Sequence, residues 1–209
     1  MRTLTLDALV LQTHNVGEAD RFCILFTRES GKIAARARAV RKPGSRMGGT
    51  LLPLRRIKAT LKETPSGYFV VDASLLSMPQ TGDLQPFLRA QQGIEILLLS
   101  LQDEEPLPEL FDATVRFLDR CGTEEEAVLP FTLRLLHVLG LLPETSGHHF
   151  AHCSPAQTAF ATKSMEETWN DLPALTKSEK AFFSGLCAEL LSEAIARAPR
   201  AGVIAKAMS

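Results

Sequence analysis

Most of the patterns that announce covalent chemistry are missing from this sequence. The four cysteines, Cys23, Cys121, Cys153 and Cys187, are far apart and include no C-x-x-C pair. That spacing fits reduced thiols in a cytoplasm better than a disulfide framework. There is no phosphate-binding loop, because "RKPGSR" (41–46) lacks the G-x-x-x-x-G-K-[ST] spacing. There is no G-x-S-x-G nucleophile turn, because Phe182 stands at the first position of "FFSGL". The most apolar run, "AVLPFTLRLLHVLGLL" (127–142), carries Arg134 and His137 and is too short to span a bilayer. Asp7 and several threonines interrupt any secretory core at the start. No internal repeat or low-complexity tract is present.

What remains is an ordinary globular composition. The chain has 209 residues, 45% of them hydrophobic and 22% charged. That supports one large or two small cores. A cytoplasmic, non-enzymatic protein without a membrane segment is the expectation. The acidic clusters "DEEPLPE" (103–109) and "EEE" (124–126) flank helix starts, where carboxylates favour the macrodipole, and do not require a nuclease metal site.

Acid is also missing where base is dense. Residues 31–46, "GKIAARARAVRKPGSR", contain six Lys or Arg and no Asp or Glu. Residues 1–80 hold thirteen bases against six acids, and residues 81–209 hold ten against eighteen. Two halves of opposite sign imply two modules with different partners, or modules that attract each other.

The first half alternates with the period of strands. In 21–27, Phe22, Ile24 and Phe26 share one face and Arg21, Cys23, Leu25 and Thr27 the other. In 32–40, Ile33, Ala35, Ala37 and Ala39 share a face, opposite Lys32, Arg36 and Arg38. In 51–62, Ile57, Ala59 and Leu61 point in and Arg56, Lys58, Thr60 and Lys62 point out. With 4–12 and 68–73 these make five strands, which suit a small OB-type barrel over 1–80. The second half, 81–209, switches to helical period. One stripe runs from Leu84 to Leu101 and a second from Leu110 to Leu118. A third runs from Val128 to Leu142 behind a Thr123–Glu126 capping box, with Pro130 kinking that helix or sitting in its first turn. A last stripe, Phe183 to Ala194, follows a Thr176–Glu179 box. Residues 143–175 show no regular pattern, and 199–209 read as a tail. The fold class is therefore α+β, a five-stranded OB-fold barrel followed by an all-α domain.

Placed on those strands, Lys32, Arg36, Arg38, Arg55, Arg56, Lys58 and Lys62 line the outer wall, and Arg41, Lys42 and Arg46 extend it through the loop. Such a stripe matches the phosphates of a nucleic-acid backbone. Tyr68 is the candidate for stacking a base, since Phe22 and Phe26 read as core through their shared face with Ile24. An adaptor whose basic barrel docks an acidic protein is the alternative.

The stretch "GEADRFCILFTRESGKIAARARAVRKPGSR" (17–46), followed by "LLPL", resembles the N-terminal barrel of RecO, the bacterial recombination mediator. "IEILLLSLQDEEPLPELFDATVRFLD" (94–119) and "FTLRLLHVLGLLP" (131–143) resemble the helical core of that family. The resemblance implies binding of single- and double-stranded DNA, annealing of complementary strands and a role in recombinational repair. The implied partners are RecR, the acidic tail of single-strand-binding protein and, indirectly, RecA, with a nucleoid-associated place in the cytoplasm. Many family members carry a four-cysteine zinc site after the Gly-Pro segment. Here His148, His149, His152 and Cys153 could supply two ligands, a second pair is missing, and no cofactor is expected. For the acidic tail, Arg89, Arg116, Arg120 and Arg134 are the bases available in the helical half.

Overall fold

The computed structural model describes residues 2–197, apart from residues 146, 167, 168 and 170 and the side chains of 148 and 195–197. The tail read at 199–209 lies outside the described residues. Five strands, β1 (Arg2–Val16), β2 (Asp20–Thr27), β3 (Gly31–Ala37), β4 (Arg56–Thr64) and β5 (Gly67–Ser77), precede five α-helices. The helices are α1 (Leu84–Ser100), α2 (Pro108–Arg120), α3 (Val128–Val138), α4 (Pro155–Met165) and α5 (Lys177–Arg197).

The strands close into a barrel in the order β1-β2-β3-β5-β4. Strand β4 returns to β1, and a short parallel ladder joins β3 to β5. Period-two alternation decides what fills it. Cys23, Leu25, Ile33, Ala35, Ala37, Ile57, Ala59 and Leu61 point inward and are buried. The many alanines suit a narrow interior. Ala39 departs from the face expected of it, since it adopts φ 55° in an exposed turn just past β3. The loop between β3 and β4 then sends Val40 and Leu51 back into the barrel core. Residues 51–55 belong to this loop, so β4 begins later than the sequence pattern suggests.

Strand β1 is buried on both sides from Ala8 to Leu11. Ala8 and Val10 face the barrel interior, while Leu9 and Leu11, with Phe26 and Leu54, join the helical core. The Phe26 ring meets Phe111 of α2 edge-on at 5.6 Å between centroids. Side chains of this size contribute about 1.5–3 kcal/mol each when fully buried, so apolar contact dominates the docking of the halves. Polar contacts fix its register. Lys32 donates to the Leu101 carbonyl at 2.6 Å and pairs with Asp103 at 3.3 Å. The Glu104 amide donates to the Lys32 carbonyl at 2.9 Å.

In the helical half, Pro130 lies in the first turn of α3. The Thr123–Glu126 box does not form; α3 starts at Val128 without a side-chain cap, because 123–126 is spent on a turn after α2. The Thr176–Glu179 box does form, with the Glu179 carboxylate accepting from the Thr176 amide at 2.9 Å. The span 143–175 is more ordered than its sequence suggests. Ser154 and Gln157 make a reciprocal capping box that starts α4 at Pro155. Ser154 also donates to Glu179 at 2.6 Å, tying the start of α4 to the start of α5.

Gly31 marks a close approach between the halves. Its φ is 68°, and a Cβ there would collide with the Glu105 backbone. Gly31→Ala is expected to cost more than about 2 kcal/mol, combining left-handed strain with the clash. That lowers the thermal midpoint by about 4–8 °C. Gly17→Ala shares the handedness at φ 55° but meets no neighbour, and is expected to lose only about 1–2 kcal/mol. Parallel thermal melts of the two variants check this.

Candidate nucleic-acid interface

The helices cover the β1–β2 side of the barrel together with the ends of β3 and β4 at Lys32 and Arg56. They leave the rest of the outer wall of β3, β5 and β4 open, where Arg36, Lys58 and Lys62 are exposed. Strand pairing places Lys62 beside Phe69 and Phe69 beside Arg36, so the three are lateral neighbours on that wall. The Arg38 guanidinium lies 4.5 Å over the Phe69 ring, a cation–π interaction. Lys58 is exposed four residues before Lys62 on the same face of β4. Exposed Arg41, Lys42 and Arg46 follow in the β3–β4 loop.

A single carboxylate shapes that loop. Asp20, at the start of β2, accepts from Arg36 at 2.9 Å and from the Ala39 amide at 2.8 Å. The Ala39 amide bond and then the Arg36 contact hold its carboxyl below the usual value. Arg41 follows the same turn, its amide donating to the Ala19 carbonyl at 2.9 Å and its guanidinium to the Gly17 carbonyl at 3.0 Å. Arg36 and Arg41 are thereby gathered around one turn, Gly17–Asp20. Arg21 braces the far side of the loop by donating to the Gly48 and Leu51 carbonyls at 2.9 and 2.7 Å. Arg55 donates to the Gly49 carbonyl.

Several residues of the expected stripe turn elsewhere. The Lys32 side chain is only 13% exposed and serves the junction with the helical half. Arg56 forks onto Asp7 at 3.0 and 2.6 Å and lies 5.9 Å from the Phe111 ring of α2. The cause is the same for both: their outward faces lie where the acidic helical half docks. Tyr68 pairs with buried Ala35, packs against the barrel core and is half-buried. Burial pushes its hydroxyl pKa up, with Glu104 and Glu63 adding to the shift. The aromatic position on the outer wall belongs instead to Phe69, which is half-buried beside Arg36. The open surface therefore comprises Arg36, Arg38, Arg41, Lys42, Arg46, Lys58 and Lys62. Of these, only Arg36 forms an ion pair among the described residues.

Comparison with known proteins agrees with this architecture. The model "Recombination protein O N terminal" matches residues 1–78, and "Recombination protein O C terminal" matches residues 82–197. The chain belongs to the RecO family. A protein named DNA repair protein RecO from Myxococcus xanthus is 34% identical over 143 residues, covering 66% of this chain and 59% of its own. Its namesake from Bacillus subtilis is 28% identical over 160 residues, covering 74% and 62%. The one from Syntrophotalea carbinolica is 30% identical over 173 residues, covering 79% and 65%. The chain thus spans about three fifths of the length of the relatives it matches.

The zinc site that the resemblance implies finds no matching cluster: among the described residues no three His, Cys, Asp or Glu side chains converge. The His148 side chain lies outside the described residues, and His149 and His152 are exposed. Burial pushes the Cys187 thiol up to about 12, as it does Cys121, and Cys23 to about 11. Three of the four candidate bases of this RecO helical domain are committed as well. Arg89 donates to the Cys121 carbonyl at 2.8 Å and Arg120 to the Trp169 carbonyl at 2.9 Å. Buried Arg134 reaches the Met165 carbonyl and Glu109. Arg116 is half-buried, and its Nε has no hydrogen-bond partner.

Asp20→Ala is expected to free the β3–β4 loop, raising tryptic cleavage after Arg41 or Arg46 several-fold. Because the folded-state pKa of Asp20 is lowered, the bracket is intact above the ordinary carboxylate range and is lost as pH falls below about 4. Loop cleavage by an acid-active protease should rise over that window in the unaltered chain and not in the variant. A thiol reagent at pH 8 is expected to label half-exposed Cys153 in the folded protein, and the other three cysteines only on unfolding.

Proposed function

We propose that this chain is a DNA-binding recombination mediator that acts without covalent chemistry. It would hold single and double strands by their phosphates, anneal complementary strands and assist loading of RecA in repair. The observation that carries the reading is the open basic wall, from Arg36 and Arg38 across to Lys58 and Lys62 with its loop of Arg41, Lys42 and Arg46. Cations on one surface can hold two polyanions at once and cancel their repulsion, after which pairing proceeds unaided. Family membership supports RecR and the acidic tail of single-strand-binding protein as partners, and a nucleoid-associated place in the cytoplasm. No helix among the described residues is long and apolar enough to cross a membrane. The mechanism requires no metal or cofactor.

The quadruple variant Arg38→Ala, Lys42→Ala, Arg46→Ala, Lys62→Ala tests the surface without touching the Asp20 bracket. Retardation of a single-stranded oligonucleotide is expected to vanish. Where binding is still measurable at low salt, the slope of log affinity against log salt should shrink by about 2–3, near 0.7 for each phosphate no longer neutralised. Each exposed position should change stability by no more than about 0.5 kcal/mol. Unchanged DNA binding by a folded variant would overturn the reading, and binding of acidic protein without DNA would favour an adaptor.

A further inference from the structure

The wall row continues past Arg36. Pairing carries it from Lys62 on β4 to Phe69 on β5, Arg36 on β3, Phe22 on β2 and His14 on β1. From Lys62 to Phe22, cationic and aromatic side chains alternate, one per strand. Neither Phe22 nor Phe69 belongs to the barrel core or to the helical core, whereas Phe26, on the same face of β2 as Phe22, is wholly buried. Both rings are half-buried; Phe22 lies toward the β1–β2 hairpin end of its strand, beyond Ile24 and Phe26, which meet the helices. Arg38 lays a second flat group over Phe69.

We infer that this row is a stacking platform for the splayed bases of a single DNA strand, an inference that rests on the nucleic-acid reading above. Neighbouring strands lie about 4.8 Å apart, so Phe22 and Phe69, two strands apart, are separated by about 10 Å. Bases within a duplex stack at about 3.4 Å along each strand and hide their faces from any such ring. A strand that lays bases on Phe22 and on the stack of Arg38 over Phe69 must therefore be unpaired and opened out. Flat groups take any base by its face, so the platform is tolerant of sequence. Arg36 is held by Asp20 and is not aimed at base edges. Edges used for pairing stay open to an incoming strand. The duplex that forms restacks its bases and leaves the rings, so the platform holds reactant strand more tightly than product.

The test uses the full chain with a mixed-sequence single strand and a hairpin duplex of equal length, titrated between 50 and 200 mM salt. Phe22→Leu with Phe69→Leu keeps apolar bulk and removes the flat faces. Single-strand affinity is expected to fall about tenfold or more, with duplex affinity changed less than about twofold and the salt slope retained. Arg38→Lys keeps the charge and loses the plane; it is expected to lower single-strand affinity several-fold, again with the slope retained. Lys42→Ala with Arg46→Ala should instead weaken both ligands and reduce the slope. Equal losses on both ligands in the phenylalanine variant, or no loss on single strands while the parent chain binds them, would overturn the platform alone. Failure of the parent chain to bind either ligand would overturn the DNA reading itself, and the platform with it.

Discussion

A strand that must bury both of its faces organises this molecule. Between Ala8 and Leu11, β1 fills the barrel on one side and meets helices on the other. Leu9 and Leu11 would face water if the helical half were absent, so the halves are not independent spheres on a linker. The requirement selects which wall of the barrel is covered. It puts α2 over β1 and β2, with Phe26 against Phe111, brings the helical half to β3 and β4 at the ends that carry Lys32 and Arg56, and leaves the remainder of the β3, β5 and β4 wall open. The open basic surface is a product of that choice.

The same choice sorts the cations. Those on the covered side meet carboxylates or carbonyls: Arg28 on Asp112, Lys32 on Asp103, Arg56 on Asp7. On the open side only Arg36 is paired with an acid among the described residues, while Arg41 donates to the Gly17 carbonyl and Arg38 lies over the Phe69 ring. The opposite charges of the two halves are thus partly spent on each other. What remains positive is a smaller and better defined patch than the linear stretch of bases implies.

The strand faces are legible in the sequence because alternation in Ile33, Ala35 and Ala37, or Ile57, Ala59 and Leu61, is a local property of extended chain. Lys32 and Arg56 obey the same alternation and still leave the patch, because what covers an outer wall is decided by segments distant in sequence, Leu101 and Asp103 for Lys32 and α2 for Arg56. Tyr68 is the stacking residue the sequence suggests, yet Phe69 holds the wall position. Pairing fixes the phase of β5, with Lys62 beside Phe69 on one side and Arg36 on the other, and the second ladder joins strands far apart in sequence. Helix α4 is masked by its own start signal, since Pro155 reads as a breaker unless Ser154 and Gln157 are seen to bracket it. The Thr123–Glu126 pair shows the converse, a capping signature used up by a turn.

Closure of the barrel between β3 and β5 relies on a brief ladder, from Ala35 opposite Tyr68 to Ala37 opposite Val70. The central rung of this seam is Arg36 opposite Phe69, the middle of the aromatic and cationic row. A chain lying across that rung would act as a suture over the shortest join in the sheet. Occupancy and closure are then thermodynamically linked: a ligand that prefers the shut barrel shifts its opening equilibrium by mass action, and amide protection along the seam would report on how much of the surface is filled.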